Sequence, residues 1–268
     1  MDLPLRMYQN DSALKKRKAF SLSLTPKVDI HLEAMKRIMD KKNPILDVGC
    51  GNADLLIRLA MSSISGQHGG LVGIDPSPGL IQVGTQEAKR KDLTLQLLHG
   101  RAEELPFRDG QFGTIIMSHT LHVIDHPRRA LAEAYRCLLP NGRLILTLHT
   151  LKDRPRTIAL LQDIEMRIAK RSNVDRRHQK INADTIQKFL PPFIIQEVQR
   201  FESKYHSSSG MEYLDYVNSL RDYFTPPPTP EEWNAMMSMA SDRVKKDIRQ
   251  HGFVEEQRCF AVVVAGKE

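Results

Sequence analysis

Residues 44–56, PILDVGCGNADLL, do most to limit what this chain can become. A short apolar run holds one acid, Asp47, and stops at Gly49, with a second glycine at Gly51. The apolar pattern then resumes in ADLLIRLAM at helical spacing, with Leu55, Leu56, Leu59 and Ala60 on one side. Loops of this kind hold nucleotides, and the chemistry around the glycines says which nucleotide is meant.

The rest of the first half repeats the strand–helix alternation. LVGID ends at Asp75, a helix is expected from Pro78 to Arg90, and LTLQLLHG is a third strand. GTIIMSH is a buried strand, PRRALAEAYRCLL an amphipathic helix, and Pro140-Asn141-Gly142 a turn into the strand RLILTLH. Apolar strands alternating with helices signal a parallel sheet covered on both faces. The expected class is α/β: a Rossmann-like, doubly wound, mostly parallel sheet with an inserted C-terminal helical cap. Its ligands belong beyond the carboxyl ends of the strands.

The pattern changes after Leu151. A helix is expected over 157–171 and a strand at FIIQEVQRFE, followed by a polar connection, SKYHSSSG. Two helices flank TPPPTP, and CFAVVVAGK closes the chain as a strand. The expected organisation is an N-terminal helical segment over 1–40 closing over the site and a cofactor-binding core over 41–151. A substrate cap with a returning strand occupies 152–258, and 259–268 is the final sheet strand.

A dinucleotide loop wants a third glycine where this chain has Asp54. Asp47 and Asp54 together are poor electrostatics for a phosphate dianion and good electrostatics for a cation. S-adenosylmethionine carries both a sulfonium and an ammonium. No Gly-Lys-Ser/Thr phosphate loop is present. Asp75 suits a ribose diol but fits a nicotinamide dinucleotide equally well.

DVGCG, the acid in GIDPS, and GRAEELPFRDGQFGTIIMSHTLHVIDHPRRALAEAYRCLLPNGRLILT together resemble the class I S-adenosylmethionine-dependent methyltransferases, in their ubiquinone/menaquinone-biosynthesis-like branch. The resemblance covers about residues 40–150. It implies that Asp47, Gly49, Cys50 and Gly51 shape the methionine end of the cofactor site and that Asp75 holds the ribose. Ile74 and Pro76 then flank the adenine, Ala102 offers it a backbone amide, and Ser118 and His119 close the site. Two positions depart from the pattern. Ala53 stands where the family often has a third small glycine, a mild change if its backbone stays in a common region. Arg101 stands where the family commonly has an Asp that accepts from the adenine amino group, and an arginine cannot accept. Either Glu103 or a backbone carbonyl takes that bond, or the pocket is altered.

Methyl transfer to a hydroxyl needs a proton removed, and His122 and His119 follow the fourth strand at the ligand edge with a suitable ordinary pKa. The plainer role for either is capping backbone or packing beside the cofactor. Tyr8, Tyr205 and His206 are further pocket candidates from the variable segments. Asp125 and His126 read as caps for the helix starting near Pro127. The cap's Met211, Tyr213, Tyr216, Tyr223, Trp233 and Met236 are mostly core, with a share able to line an adaptable apolar pocket. That favours a small, partly hydrophobic acceptor, methylated on O or N.

Composition trims the alternatives. Three widely spaced cysteines, Cys50, Cys137 and Cys259, offer neither a disulfide framework nor zinc spacing, so the expectation is a cytoplasmic protein without a metal. No apolar run approaches the ~20 residues of a membrane span. The net charge of +7 keeps a nucleic-acid or carrier-bound substrate open, with the basic stretch 152–180 as its contact. A non-catalytic binding protein on the same fold stays open through Arg101, and a dehydrogenase is more distant. Oligomeric state is not encoded in these features.

Overall fold

The structure is a computed structural model and describes residues 12–38, 42–62, 69–168, 180–221, 224 and 226–268. Tyr8, Tyr223 and the basic residues of 169–179 lie outside the described residues.

The described strands form one eight-stranded sheet, in the order β1-β7-β8-β6-β5-β2-β3-β4. They are β1 (Leu24–Thr25), β2 (Ile45–Val48), β3 (Leu71–Asp75), β4 (Gln96–His99), β5 (Phe112–Ser118), β6 (Leu138–His149), β7 (Ile194–Ser207) and β8 (Val254–Gly266). β4, β3, β2, β5 and β6 run parallel, and β8, β7 and β1 add an antiparallel flank. β2, β3 and nearly all of β5 are buried on both faces, which is why they read as unbroken apolar runs rather than alternating ones.

Among the described residues, eight helices accompany this sheet: α1 (Ser12–Leu22), α2 (Ile30–Met35), α3 (Asp54–Met61), α4 (Pro78–Arg90), α5 (Pro127–Cys137), α6 (Pro155–Ile168), α7 (Met211–Asn218) and α8 (Pro230–His251). Successive strand residues feed opposite layers. Leu46 and Val48 join one apolar cluster with Ile115, Leu144 and Val263, while Ile45 joins another with Leu55, Leu56 and Leu59 of α3. A third cluster, the cap, packs Phe20 of α1 against Tyr205, Tyr213, Tyr216 and Trp233. α8 starts with a capping box, Thr229 with Glu232, and Pro230 at its first turn, as the TPPPTP punctuation implies.

β3 and β4 lie on one side of β2, and β5 returns on the other. The strand order therefore reverses at β2, and a crevice opens beyond the carboxyl ends of β2 and β5.

Several expected boundaries move. β7 continues through the stretch expected to be a polar connection, because residues 194–207 pair along the whole length of β8. Tyr205 is accordingly a buried cap residue that donates to Glu212, and His206 lies on the surface against Phe253. β8 begins at Val254 rather than at Cys259. The turn at Pro140-Asn141-Gly142 lies within β6 as an irregularity, with Asn141 at φ 60°.

Candidate functional site

One large cavity, of about 680 Å³, opens at that crevice. Its floor is the loop between β2 and α3. Gly49 and Gly51 both hold positive φ, 75° and 56°. A Cβ on Gly49 would sit 2.3 Å from the side chain of Thr120, so the position admits only glycine. A Cβ on Gly51 would meet nothing closer than 3.9 Å; it would enter the cavity itself. Cys50 between them is buried, and burial pushes its thiol up, so it contributes backbone and packing rather than a thiolate.

The expected residues come together. Asp47, Gly49, Cys50 and Gly51 line the cavity with Asp75 and Pro76, and so do Arg101, Ala102 and Glu103, then Ser118, His119 and His122. Asp75 turns Oδ2 to the Gly51 amide at 2.9 Å and Oδ1 to the Ser77 amide at 2.8 Å, which ties the end of β3 to the glycine loop. Burial raises its pKa, and those two amides oppose the rise. Asp47 is 2% exposed and its Oδ1 has no hydrogen-bond partner. Burial, reinforced by the neighbouring Asp75 carboxylate, lifts Asp47 to about 7.

Three sequence readings need correction here. Asp54 lines the cavity, but His31 and Lys18 hold its carboxyl well below the usual range, with Lys18 Nζ 2.8 Å away. The carboxylate that accompanies Asp47 is therefore Asp75, not Asp54. Ala53 does not stay in a common backbone region: it sits at φ 61°, ψ 22°, fully buried, as the N-cap of α3. Asp125 is not a helix cap. His126 occupies that position, without a side-chain cap bond, and Asp125 lies 3.6 Å from Arg101. Arg101 also reaches Glu103, at 3.5 Å, so its guanidinium is drawn to two carboxylates at the cavity's edge.

The far end of the cavity holds residues that sequence reasoning missed. His149, the last residue of β6, stacks on His119 with ring centroids 4.6 Å apart and meets His122 edge-on at 5.3 Å. Its Nδ1 lies 3.0 Å from Asp153 Oδ2. Asp153 is 1% exposed and also serves Arg154 Nε at 2.7 Å, Arg258 Nε at 3.0 Å and the Cys259 amide at 2.8 Å. Burial would raise this carboxyl, but Arg258, His149 and Arg154 hold it well below the usual range. Burial also keeps the imidazoles neutral: it takes His119 well below its ordinary value, and with Arg154 it takes His149 to about 4. Arg154 further donates to the Tyr216 hydroxyl at 3.1 Å. His149 was within reach of sequence logic, since it ends a strand at the same edge as Ser118. Arg258 was not, because it comes back from the last strand.

Tyr205 and His206 are not among the cavity residues. Of the basic stretch 152–180, Arg154 is buried in the site, Arg156 pairs with Asp247 and Arg167 with Asp163.

The half of the chain that carries the glycine loop is similar to known proteins. A family described as a methyltransferase domain matches residues 46–146. Demethylmenaquinone methyltransferase of Listeria welshimeri is 37% identical over 114 residues, which is 42% of this chain and 48% of that protein. The chain thus spans about half the length of the curated relatives it matches. Among solved structures, a Bacillus halodurans protein crystallised as a candidate methyltransferase superposes with a TM-score of 0.62 at 17% identity, covering 88% of this chain and 98% of that one. A Haemonchus contortus phosphoethanolamine N-methyltransferase, crystallised with S-adenosylhomocysteine, gives 0.54 at 16% identity over 89% of this chain and 52% of that one. The segment that builds the glycine loop, the acid-ended β3 and the β5 edge is thus similar to methyltransferase domains, and the chain as a whole shares the fold of these solved structures.

Proposed function

We propose that the chain is an S-adenosylmethionine-dependent methyltransferase acting on a small, partly hydrophobic metabolite by O- or N-methylation. The observation that carries this reading is the pair Asp47 and Asp75. Two buried carboxylates at the end of adjacent strands, one with an orphaned oxygen, face a cavity against a glycine that keeps the wall open. Such a wall suits a cationic ligand with hydroxyls and repels a phosphate.

Bound there, the cofactor supplies a methyl group on a positively charged sulfur. Asp75 keeps spare lone pairs on both oxygens for ribose hydroxyls, even while accepting from Gly51 and Ser77. Ile74 and Pro76 would flank the base and the Ala102 amide would meet its edge, with Glu103 as the acceptor in place of the unsuited Arg101. Leu220 and Phe260, close in the chain to Tyr216 and Arg258, add apolar lining that excludes water at that end of the cavity. His119, His122 and His149 form the place where an acceptor proton leaves. His149 is the best placed of them: the Asp153 carboxylate, 3.0 Å from Nδ1, steadies by its charge the imidazolium formed when the ring takes a proton. α1 closes over the donor, latched to α3 through Lys18 and Asp54, and Tyr8 precedes it in the chain. The three cysteines are unpaired and buried, which suits a cytoplasmic setting.

Calorimetric titration with S-adenosylmethionine and S-adenosylhomocysteine, with a nicotinamide dinucleotide as control, tests the reading. Micromolar binding of the first two, lost in Asp75→Ala, is expected. Absence of binding would return the chain to the non-catalytic class.

A further inference from the structure

We propose that the acceptor molecule is a small carboxylic acid whose carboxylate sits on the guanidinium of Arg258. This rests on the methyl-transfer reading and names the substrate class for it.

Arg258 projects from β8 on the same face as Phe260, two residues on, and both line the cavity. It is 8% exposed, so its charge is almost wholly out of water. Nε is committed to Asp153, and the guanidinium carbon lies 5.4 Å from the Tyr216 ring and 5.8 Å from Phe20. These contacts fix the guanidinium in place. Its two terminal nitrogens make no hydrogen bond among the described residues, so a rigid pair of donors is left facing the cavity. A buried guanidinium with unmet donors is costly, and a planar carboxylate answers both of them at once.

The local charge points the same way. Arg154 and Arg258 share one carboxylate, Asp153, and the histidines beside it are neutral. Glu256, also buried, is occupied by the Thr157 amide and hydroxyl and the Gln257 amide at the start of α6. Asp153 links the two functions. The same side chain holds Arg258, which takes the anion, and His149, which meets the nucleophile. An acceptor with an acid at one end of an apolar body and a hydroxyl or amine toward the histidines fills the arrangement.

The test titrates the S-adenosylhomocysteine-loaded protein with matched acid–amide pairs: 4-hydroxybenzoate and its amide, indole-3-acetate and its amide, hexanoate and its amide. At least one acid should bind tenfold or more tightly than its amide. Arg258→Lys keeps the charge beside Asp153 and so keeps the fold, but it should erase most of that preference. Arg258→Gln should erase it fully if it folds. In both variants, affinity for S-adenosylhomocysteine should stay within twofold. The proposal is overturned if no acid is preferred, if the preference survives in Arg258→Lys, or if affinity for S-adenosylhomocysteine falls as far as affinity for the acid. The last result would assign Arg258 to the donor's own carboxylate. A wild-type protein that binds no S-adenosylhomocysteine refutes the methyl-transfer reading instead, and the acid–amide comparison on the unloaded protein still decides this one.

Discussion

His149 Nδ1 and Asp153 Oδ2 lie 3.0 Å apart at the end of β6, both buried and both beside the cavity. The carboxylate lies beside a ring that burial keeps neutral, so this histidine can take a proton at any pH above about 5. His149→Gln should lower kcat by roughly 100-fold, the usual scale for a lost base, with little change in S-adenosylhomocysteine affinity. Turnover with any acceptor found by screening, alongside calorimetry, checks both parts. An unchanged kcat would move the role to His122 or His119.

The same ring leaves a signature in acid. Its folded pKa of about 4 lies below the unfolded value near ~6.5, so the unfolded chain binds more protons between them. This group's contribution is intact above that window and is lost as pH falls through it, by up to about 1.4 kcal/mol per unit. Denaturant titrations from pH 7 to pH 4 should show a shallower loss in His149→Gln than in the wild type.

Asp47 has the opposite sign. Its folded pKa, about 7, is raised above the unfolded value, so the folded state holds the extra proton and stability falls as pH rises from about 4 to 7. Asp47→Asn should therefore be more stable than the wild type at pH 8, by roughly 2 to 4 kcal/mol, with the gain shrinking toward pH 4. It should also bind S-adenosylmethionine more weakly, and the rise of affinity with pH between 6 and 8 should flatten. Thermal melts and calorimetry at three pH values decide this.

Ala53 holds a left-handed backbone at the entry to α3. Ala53→Gly relieves about 1–2 kcal/mol of strain but gives up a buried methyl and adds chain entropy, so stability should change by less than ~1 kcal/mol. Ala53→Val should cost about 3 kcal/mol, because a branched side chain cannot follow that backbone without strain. Urea midpoints for the two variants separate this from an ordinary buried alanine.

Arg136 pins the loop after Glu103. It donates to the carbonyls of Leu105 and Phe107, at 3.0 and 2.7 Å, and to Asp109 and Glu133, while Glu133 accepts from the Leu105 amide. Arg136→Ala should destabilise by about 2–3 kcal/mol and weaken S-adenosylhomocysteine binding, since residues 101–103 form one wall of the cavity. Arg136→Lys should recover only part of either loss, because a lysine lacks the planar fork.

The glycine-loop half of the cavity was legible because its parts are local. Asp47, Gly49 and Gly51 sit at one strand end, Asp75 ends the neighbouring strand, and period alone assigns both to the sheet's carboxyl edge. Ala53 was misjudged for the reason that a dihedral sign is invisible in composition: nothing local marks the left-handed backbone that Ala53 holds where Gly84 packs against Asn52 and Ala53. Asp125 was misjudged because its partner, Arg101, comes from another loop.

What the sequence determined by itself was the alternation of strands and helices, the loop chemistry hostile to phosphate, and the edge where ligands bind. The tertiary structure alone decided the far end of the cavity. Asp153, Arg258 and His149 meet there because β8 returns antiparallel beside β6, placing Phe260 opposite His149. No spacing rule connects positions so far apart. The pairing follows from which strands find each other, and the resulting burial turns three ordinary polar residues into a charged, water-poor pocket.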